Sequence, residues 1–137
     1  AFAAAYSQTK DVFFATTPAV SPDGKTVVFS YEGDLWKVGI DGGGAVRLTA
    51  MQGRETFPRI SPDGKWVAYT VSETDWKQDA FVTQIWLVNT TGGKPFQLTR
   101  GDKPAGNPQW SPDGQWYAYD GSSNAVWIAR ADGSPRC

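Results

Sequence analysis

Short apolar–polar alternations recur along the chain, and each is bounded by turn residues. Thr26-Val27-Val28-Phe29-Ser30, Trp66-Val67-Ala68-Tyr69-Thr70 and Trp116-Tyr117-Ala118-Tyr119-Asp120 share one pattern. Large side chains fill one face at positions 27/29, 67/69 and 117/119, while Val28, Ala68 and Ala118 occupy the other. A period of two with both faces apolar predicts strands buried on both sides. Each of these strands follows Ser-Pro-Asp-Gly, at Ser21–Gly24, Ser61–Gly64 and Ser111–Gly114. Pro presets φ for the first central position of a tight turn, Asp suits the second, and Gly takes the positive φ that follows. The tetrapeptide is therefore expected to join the first and second strands of a hairpin. A third strand is predicted at Leu35–Val38, Ile85–Val88 and Val126–Ala129, each with a tryptophan in second place. Gly-rich turns follow at Asp41–Gly44 and Thr90–Gly93, with Asp132-Gly133 a third candidate. A short fourth strand ends in Arg47-Leu48-Thr49 or Gln97-Leu98-Thr99. No stretch carries a 3.6-residue apolar period over a dozen residues, so the chain reads as all-β.

The alternations belong to a longer repeat. Asp34–Tyr69, moved forward by 50 residues, lies on Gln84–Tyr119 without a gap, and 14 of the 36 columns are identical. A period of 40 to 50 residues marks a repeat architecture. Four short antiparallel strands per unit, buried on both faces, describe a propeller blade. The expected fold is an incomplete β-propeller of about three four-stranded antiparallel blades, at residues 17–49, 56–99 and 107–137. Residues 1–16 form a separate N-terminal segment. The string P-x-x-S-P-D-G-K-x-x-A-Y, followed by I/L-W, G-G and L-T, resembles the WD-like propeller repeat of the TolB family. The same repeat builds the non-catalytic propellers of tricorn-type and prolyl-oligopeptidase-type serine peptidases. The resemblance covers about Thr17 to Gly133. Gln84–Gly114 is most similar to the propellers of acylaminoacyl-type peptidases, and the opening segment with Ser30–Leu35 to the first blade of an exported tricorn-like protein.

Two departures from that repeat matter. Trp36 and Trp86 precede Leu48 and Leu98 by 12 residues, but the same step from Trp127 passes Cys137. The last blade is therefore expected to be truncated before its fourth strand, and the chain to be a fragment of a larger wheel. Its open ends are then expected to support self-association, through Phe29 or Val28 at one end and Tyr117, Tyr119 or Ala118 at the other. The second departure is an insertion. From the Ser-Pro-Asp-Gly serine to the third-strand tryptophan takes 15 residues in the first repeat, 16 in the third and 25 in the second. The surplus is roughly Ser72–Phe81. Strand alternation puts this insertion at the same end of the array as the blade-to-blade linkers 50–56 and 100–106. Loops that vary on a rigid scaffold are where binding usually resides.

Composition narrows the chemistry. The 137 residues carry a net charge of −1 and seven tryptophans, so no field argues for nucleic acid or an anionic membrane. The single cysteine, Cys137, allows neither a disulfide nor a cysteine-based metal site within one chain. Histidine is absent, which removes His-dependent triads and imidazole acid–base chemistry. No Ser-x-x-Lys or G-x-S-x-G string is present, so no catalytic residue, metal ligand or cofactor site is expected. The segment Ala1–Gln8 resembles the end of a secretory signal peptide, the alternatives being a frayed terminus or a closing strand. With the family resemblance, it suggests a periplasmic or secreted protein.

Each remaining candidate has a plainer explanation beside it. Asp23, Asp63 and Asp113 are turn residues before they are metal ligands, because equivalent positions in successive blades lie far apart. Gly42-Gly43-Gly44 lacks phosphate-loop spacing and a following helix. Trp36, Trp86 and Trp127 recur at one strand position, which argues for packing between blades rather than stacking on a ligand. Asn89-Thr90-Thr91 fits a glycosylation sequon within a turn. The insertion offers Asp75, Trp76, Lys77, Asp79 and Phe81, with Glu73 beside them. Non-repeating aromatics among mixed charges can anchor a peptide or protein partner; the alternative is a hairpin whose tryptophan folds back on its own blade. The resemblance implies a non-catalytic module from the substrate-gating propeller of an exported oligopeptidase- or tricorn-type serine peptidase. Its partners would then be peptide substrates, the remaining blades and a hydrolase domain. The other implied reading is a TolB-like periplasmic interaction propeller with no peptidase attached.

Overall fold

Eleven strands build three separate antiparallel sheets in a computed structural model that describes residues 15–132. The readings of the N-terminal segment, and of Cys137, fall outside those residues. The first sheet holds β1 (Thr16–Val20), β2 (Thr26–Tyr31), β3 (Asp34–Gly39) and β4 (Val46–Arg47) in sequence order. The second repeats the order with β5 (Arg54–Ile60), β6 (Trp66–Asp75), β7 (Ala80–Asn89) and β8 (Phe96–Gln97). The third comprises β9 (Gly106–Trp110), β10 (Trp116–Asp120) and β11 (Val126–Arg130). Trp36, Trp86 and Trp127 sit at one register position, paired with Phe29, Tyr69 and Tyr119 on the second strand of each sheet. The all-β propeller reading therefore holds: the sheets are blades, and they do not close a circle.

The Ser-Pro-Asp-Gly turns are one device used three times. In each, the serine hydroxyl donates to the Asp carboxylate and accepts from the backbone N–H five residues on. The Asp carboxylate also accepts the backbone N–H two residues on, at 3.0 Å in all three. Gly24, Gly64 and Gly114 take φ of 71°, 74° and 71°. These hydrogen bonds, with the serine donor the largest effect, hold all three carboxyls below their ordinary value of 3.8. A depressed carboxylate stabilises the fold above 3.8, and that contribution is lost as the pH falls through the lower folded value. Ser61, 3% exposed, makes the most enclosed of the three pairs. Ser61→Ala is expected to cost about 1 kcal/mol at neutral pH, and less well below pH 3.8, where Asp63 is protonated in both states. Urea denaturation at two pH values checks this.

A second repeated device is at the inner strands. Thr17, Phe57 and Asn107, each directly before a proline, have φ of 48°, 52° and 50°. Each lies at the point where the pairing of the first and second strands shifts register. A bulge there bends the strand and lets the proline, which has no N–H to give, leave the ladder. Pro58 and Pro108 are fully buried as a result. Phe57 N–H donates to Thr17 Oγ1 and Asn107 N–H to Thr70 Oγ1, so the bulges also tie neighbouring blades together.

The blades pack with unlike faces in contact. The small face of the first blade, with Val28 and Leu35, meets the bulky face of the second, with Val67, Tyr69, Val71 and Val88. Ile85 and Ala105 meet Tyr117 of the third blade in the same way. Burying side chains of this size contributes about 1.5–3 kcal/mol each. Trp110 Nε1 adds a hydrogen bond of 2.8 Å to Arg59 O across the second and third blades.

This packing corrects the expectation about the open ends for Val28, Phe29 and Tyr117. Val28 and Tyr117 are 1% and 2% exposed because both point inward, toward the second blade. Phe29, at 2%, is buried in a cluster with Val27 and Val38. The uncovered apolar face of the third blade is the one that holds half-buried Ala118 and its partner Ile128, and β11 carries most of it, with Val126 71% and Ile128 46% exposed.

Candidate functional site

The insertion forms a hairpin that lengthens β6 and β7 to ten residues each, against six in β2 and β3 and five in β10 and β11. The antiparallel register continues without a slip from Trp66↔Asn89 through Thr74↔Phe81 to Asp75↔Ala80. The tip is closed by Asp75, whose carboxylate accepts the Lys77 N–H at 2.9 Å and whose carbonyl accepts the Gln78 N–H. Asp79 turns the chain back with φ of 47°, a left-handed conformation that Asp tolerates.

Of the residues expected to form a site, Asp75, Trp76, Lys77 and Asp79 therefore lie in the tip, and Phe81 is second in the returning strand. Trp76 is 87% exposed and Phe81 77%. The indole does not fold back on its own blade. The Asp75 carboxylate serves the turn, while the two aromatics stand mainly in solvent. Trp76 borders two open grooves. One, of about 610 Å³, runs past Asp75, Lys77 and Val82 to the linker residues Gly101 and Asp102. The other, of about 410 Å³, lies between Phe81 and the first linker at Gln52–Arg54. The hairpin and both linkers thus share one end of the array. The Ser-Pro-Asp-Gly and Gly-Gly turns share the other, where Thr90 N–H bonds to Lys65 O and the Thr90 hydroxyl to Gly64 O.

The hairpin's base is fixed by close contact. Gly53 has φ of +94°, and a Cβ there would lie 2.7 Å from both Ser72 O and Glu73 Cγ. The linker passes this close to β6 only because residue 53 has no side chain. Gly53→Ala is expected to cost about 2–4 kcal/mol, from left-handed strain plus overpacking. It should also loosen the hairpin, which hydrogen exchange at the β6 amides Ser72–Thr74 would record; unchanged exchange would contradict the contact.

Sequence reading missed one buried group near this end. Glu55 is 0% exposed. Its carboxylate accepts from Met51 N at 2.9 Å, Leu35 N at 3.2 Å and the Thr49 hydroxyl. Burial is the larger influence and raises its pKa above the ordinary 4.5, against those three donors. Its own N–H donates to Gly33 O and its carbonyl accepts from Ser30 Oγ, so it joins the first linker to both blades. The available signal was a lone acid in an otherwise repeating pattern, with Ala105 fifty residues later.

No group of three or more His, Cys, Asp or Glu side chains able to hold a metal occurs among the described residues. Asp23, Asp63 and Asp113 are occupied in their turns. Trp86 packs against the core between the first and second blades, and Trp36 against the Val27–Phe29–Val38 cluster. Trp127, 47% exposed, lies over Gly121, where a Cβ would come within 2.3 Å of its ring.

No protein-family model matches the chain, and no curated protein does. Solved structures do. A putative TolB from Agrobacterium tumefaciens is 26% identical over 93% of this chain and 49% of its own, with a TM-score of 0.78. TolB from Acinetobacter baumannii is 23% identical over 83% of this chain and 32% of its own, with a TM-score of 0.62. The tricorn protease is 18% identical over 77% of this chain and 11% of its own, with a TM-score of 0.66. The chain thus spans about half the length of the first of these. These likenesses agree with the TolB- and tricorn-type WD-like repeat read from the Ser-Pro-Asp-Gly units.

Proposed function

We propose that the chain is a non-catalytic binding module in which stacked propeller blades hold the Trp76–Phe81 hairpin out for a peptide or protein partner. The observation that carries this is the presence of two largely exposed aromatics at the end of a hairpin that stays paired out to Asp75↔Ala80. Aromatic anchors dominate binding energy at interfaces, and a preformed strand pair lowers the ordering cost of presenting them. The non-catalytic part rests on the lack of histidine and of any nucleophile string.

Two settings suit such a module. In one, the blades belong to the propeller of an exported oligopeptidase- or tricorn-type serine peptidase and position peptides for a separate hydrolase domain. In the other, the propeller is itself the docking body of a TolB-like periplasmic protein. The likeness to a putative TolB over 93% of this chain supports the second; the tricorn likeness supports the first. The sequence following this chain in its gene separates them, by encoding a hydrolase domain or not.

The purified chain is expected to turn over neither peptide-amide nor ester substrates, and to leave a serine-directed covalent probe unreacted. Turnover that tracks the chain through purification, or stoichiometric labelling of one serine, would overturn the non-catalytic reading.

A further inference from the structure

The two linkers solve one structural problem in different ways, and the second leaves a vacancy. Both hold a backbone N–H to a threonine: Leu35 N to Thr49 Oγ1 at 3.0 Å, and Ile85 N to Thr99 Oγ1 at 2.8 Å. Both dock the residue that opens the next blade on the preceding hairpin, through Glu55 N to Gly33 O and Ala105 N to Thr83 O. In the first linker the Glu55 carboxylate then collects the Leu35 N–H and the Thr49 hydroxyl. In the second, the equivalent residue is Ala105. Among the described residues, the Thr99 hydroxyl has no acceptor for its proton.

Further differences at this cavity accompany the missing acid. Arg100 stands where the first linker has Ala50, Lys103 where it has Gly53, and neutral Gln84 where it has Asp34. The first linker carries Glu55 with Arg54 beside it. The second carries Arg100 and Lys103 at this cavity, while Asp102 between them lines the groove under the Trp76 hairpin instead. Asp34 disfavours ionisation of Glu55 by like-charge repulsion, and Gln84 exerts no such repulsion. Gln84 is 6% exposed. Its Nε2 is spent on Gly101 O at 3.0 Å and Lys103 O at 3.1 Å, while its Oε1 has no partner among the described residues. The vacancy is a cavity of about 160 Å³ between the second and third blades, lined by Gln84, Thr99, Arg100, Lys103, Tyr119 and Trp127 among others.

We propose that this cavity is a carboxylate site, filled by a Glu or Asp side chain of a peptide or protein partner in the place that Glu55 fills from within in the first linker. The Ile85 N–H and Thr99 hydroxyl supply the two donors that Leu35 and Thr49 give Glu55. Arg100 and Lys103 supply the charge, and charge-assisted hydrogen bonds of this kind are about twice as strong as neutral ones. Gln84 Oε1 accepts from the guanidinium or ammonium group that the bound carboxylate draws inward. The Trp76 hairpin takes no part, so the site stands or falls separately from the proposed hairpin interface.

The test is amide chemical-shift titration of the whole chain with acetate and with acetamide at constant ionic strength. An acetyl-Ala-Glu-Ala-amide peptide and its Gln counterpart follow. The Ile85 and Thr99 amides are expected to move saturably with acetate and with the Glu peptide. The Gln peptide should bind at least about tenfold more weakly, the loss of one charge-assisted interaction. Ala105→Glu should fill the site from within and abolish both responses. Should that variant not fold, Arg100→Gln with Lys103→Gln, on the solvent side of the cavity, carries the test by weakening acetate binding at least about tenfold. Equal responses to acetate and acetamide, a non-saturating response, or binding indifferent to these substitutions would show a cavity holding water only. Binding of acetate without preference for the Glu peptide would overturn the assignment to an acidic side chain.

Discussion

Glu55→Ala is expected to destabilise the chain by about 2–4 kcal/mol, the cost of leaving buried hydrogen-bond donors without their acceptor. The side chain is fully enclosed, and its loss strands the Met51 N–H and the Thr49 hydroxyl and takes away one of the two acceptors of the Leu35 N–H. It also opens a void between the first and second blades at the point where they are stitched. The second linker shows what compensation looks like: with alanine at the equivalent position, Gln84 turns its amide to the linker carbonyls. Adding Asp34→Gln to Glu55→Ala is therefore expected to recover part of the loss, although it gives up the Asp34–Arg47 ion pair. Urea denaturation of the two variants measures both effects. A cost below about 1 kcal/mol for Glu55→Ala, the worth of a single ordinary hydrogen bond, would show that the network does not hold the linker.

The second large effect concerns binding. Trp76→Ser with Phe81→Ser is expected to weaken capture of the hairpin's partner by about 30-fold or more, since an anchoring aromatic contributes about 2 kcal/mol or more. The same pair should leave the unfolding midpoint almost unchanged, because both side chains lie mainly in solvent. Surface changes away from special features stay within about 0.5 kcal/mol. A folding cost above 1–2 kcal/mol, roughly that of partial core disruption, would mean that the aromatics serve the blade itself. Equal binding by the double variant would place the interface elsewhere.

The blades were legible in the sequence because their information is local. A Ser-Pro-Asp-Gly turn carries its own φ values and hydrogen bonds within six residues, and the tryptophan of the third strand follows at a nearly fixed step. The insertion was legible for the same reason, as a break in that step. The direction of Trp76 was not, since it depends on how far β6 and β7 stay paired beyond the blade.

The faces were misjudged where two-sided burial hides polarity. Alternation shows that Val28 and Phe29 point in opposite directions, but not which neighbour each meets. The structure resolves this by packing a small face on a bulky one. Glu55 was passed over because the partners of its carboxylate lie up to 20 residues away, and no local pattern announces a carboxylate that a distant strand will enclose. The left-handed residues before Pro58 and Pro108 were hidden similarly. A residue before proline ordinarily favours extended backbone, and only the bulge makes the other conformation worthwhile.

Whether the stacked blades present the hairpin as a binding element is decided by selecting a displayed random-peptide library on the immobilised chain, with the Trp76→Ser, Phe81→Ser variant as counter-target. Enriched peptides are expected to bind the parent chain, to fail on the variant and to be recovered intact. Enriched peptides that bind both proteins equally would contradict it.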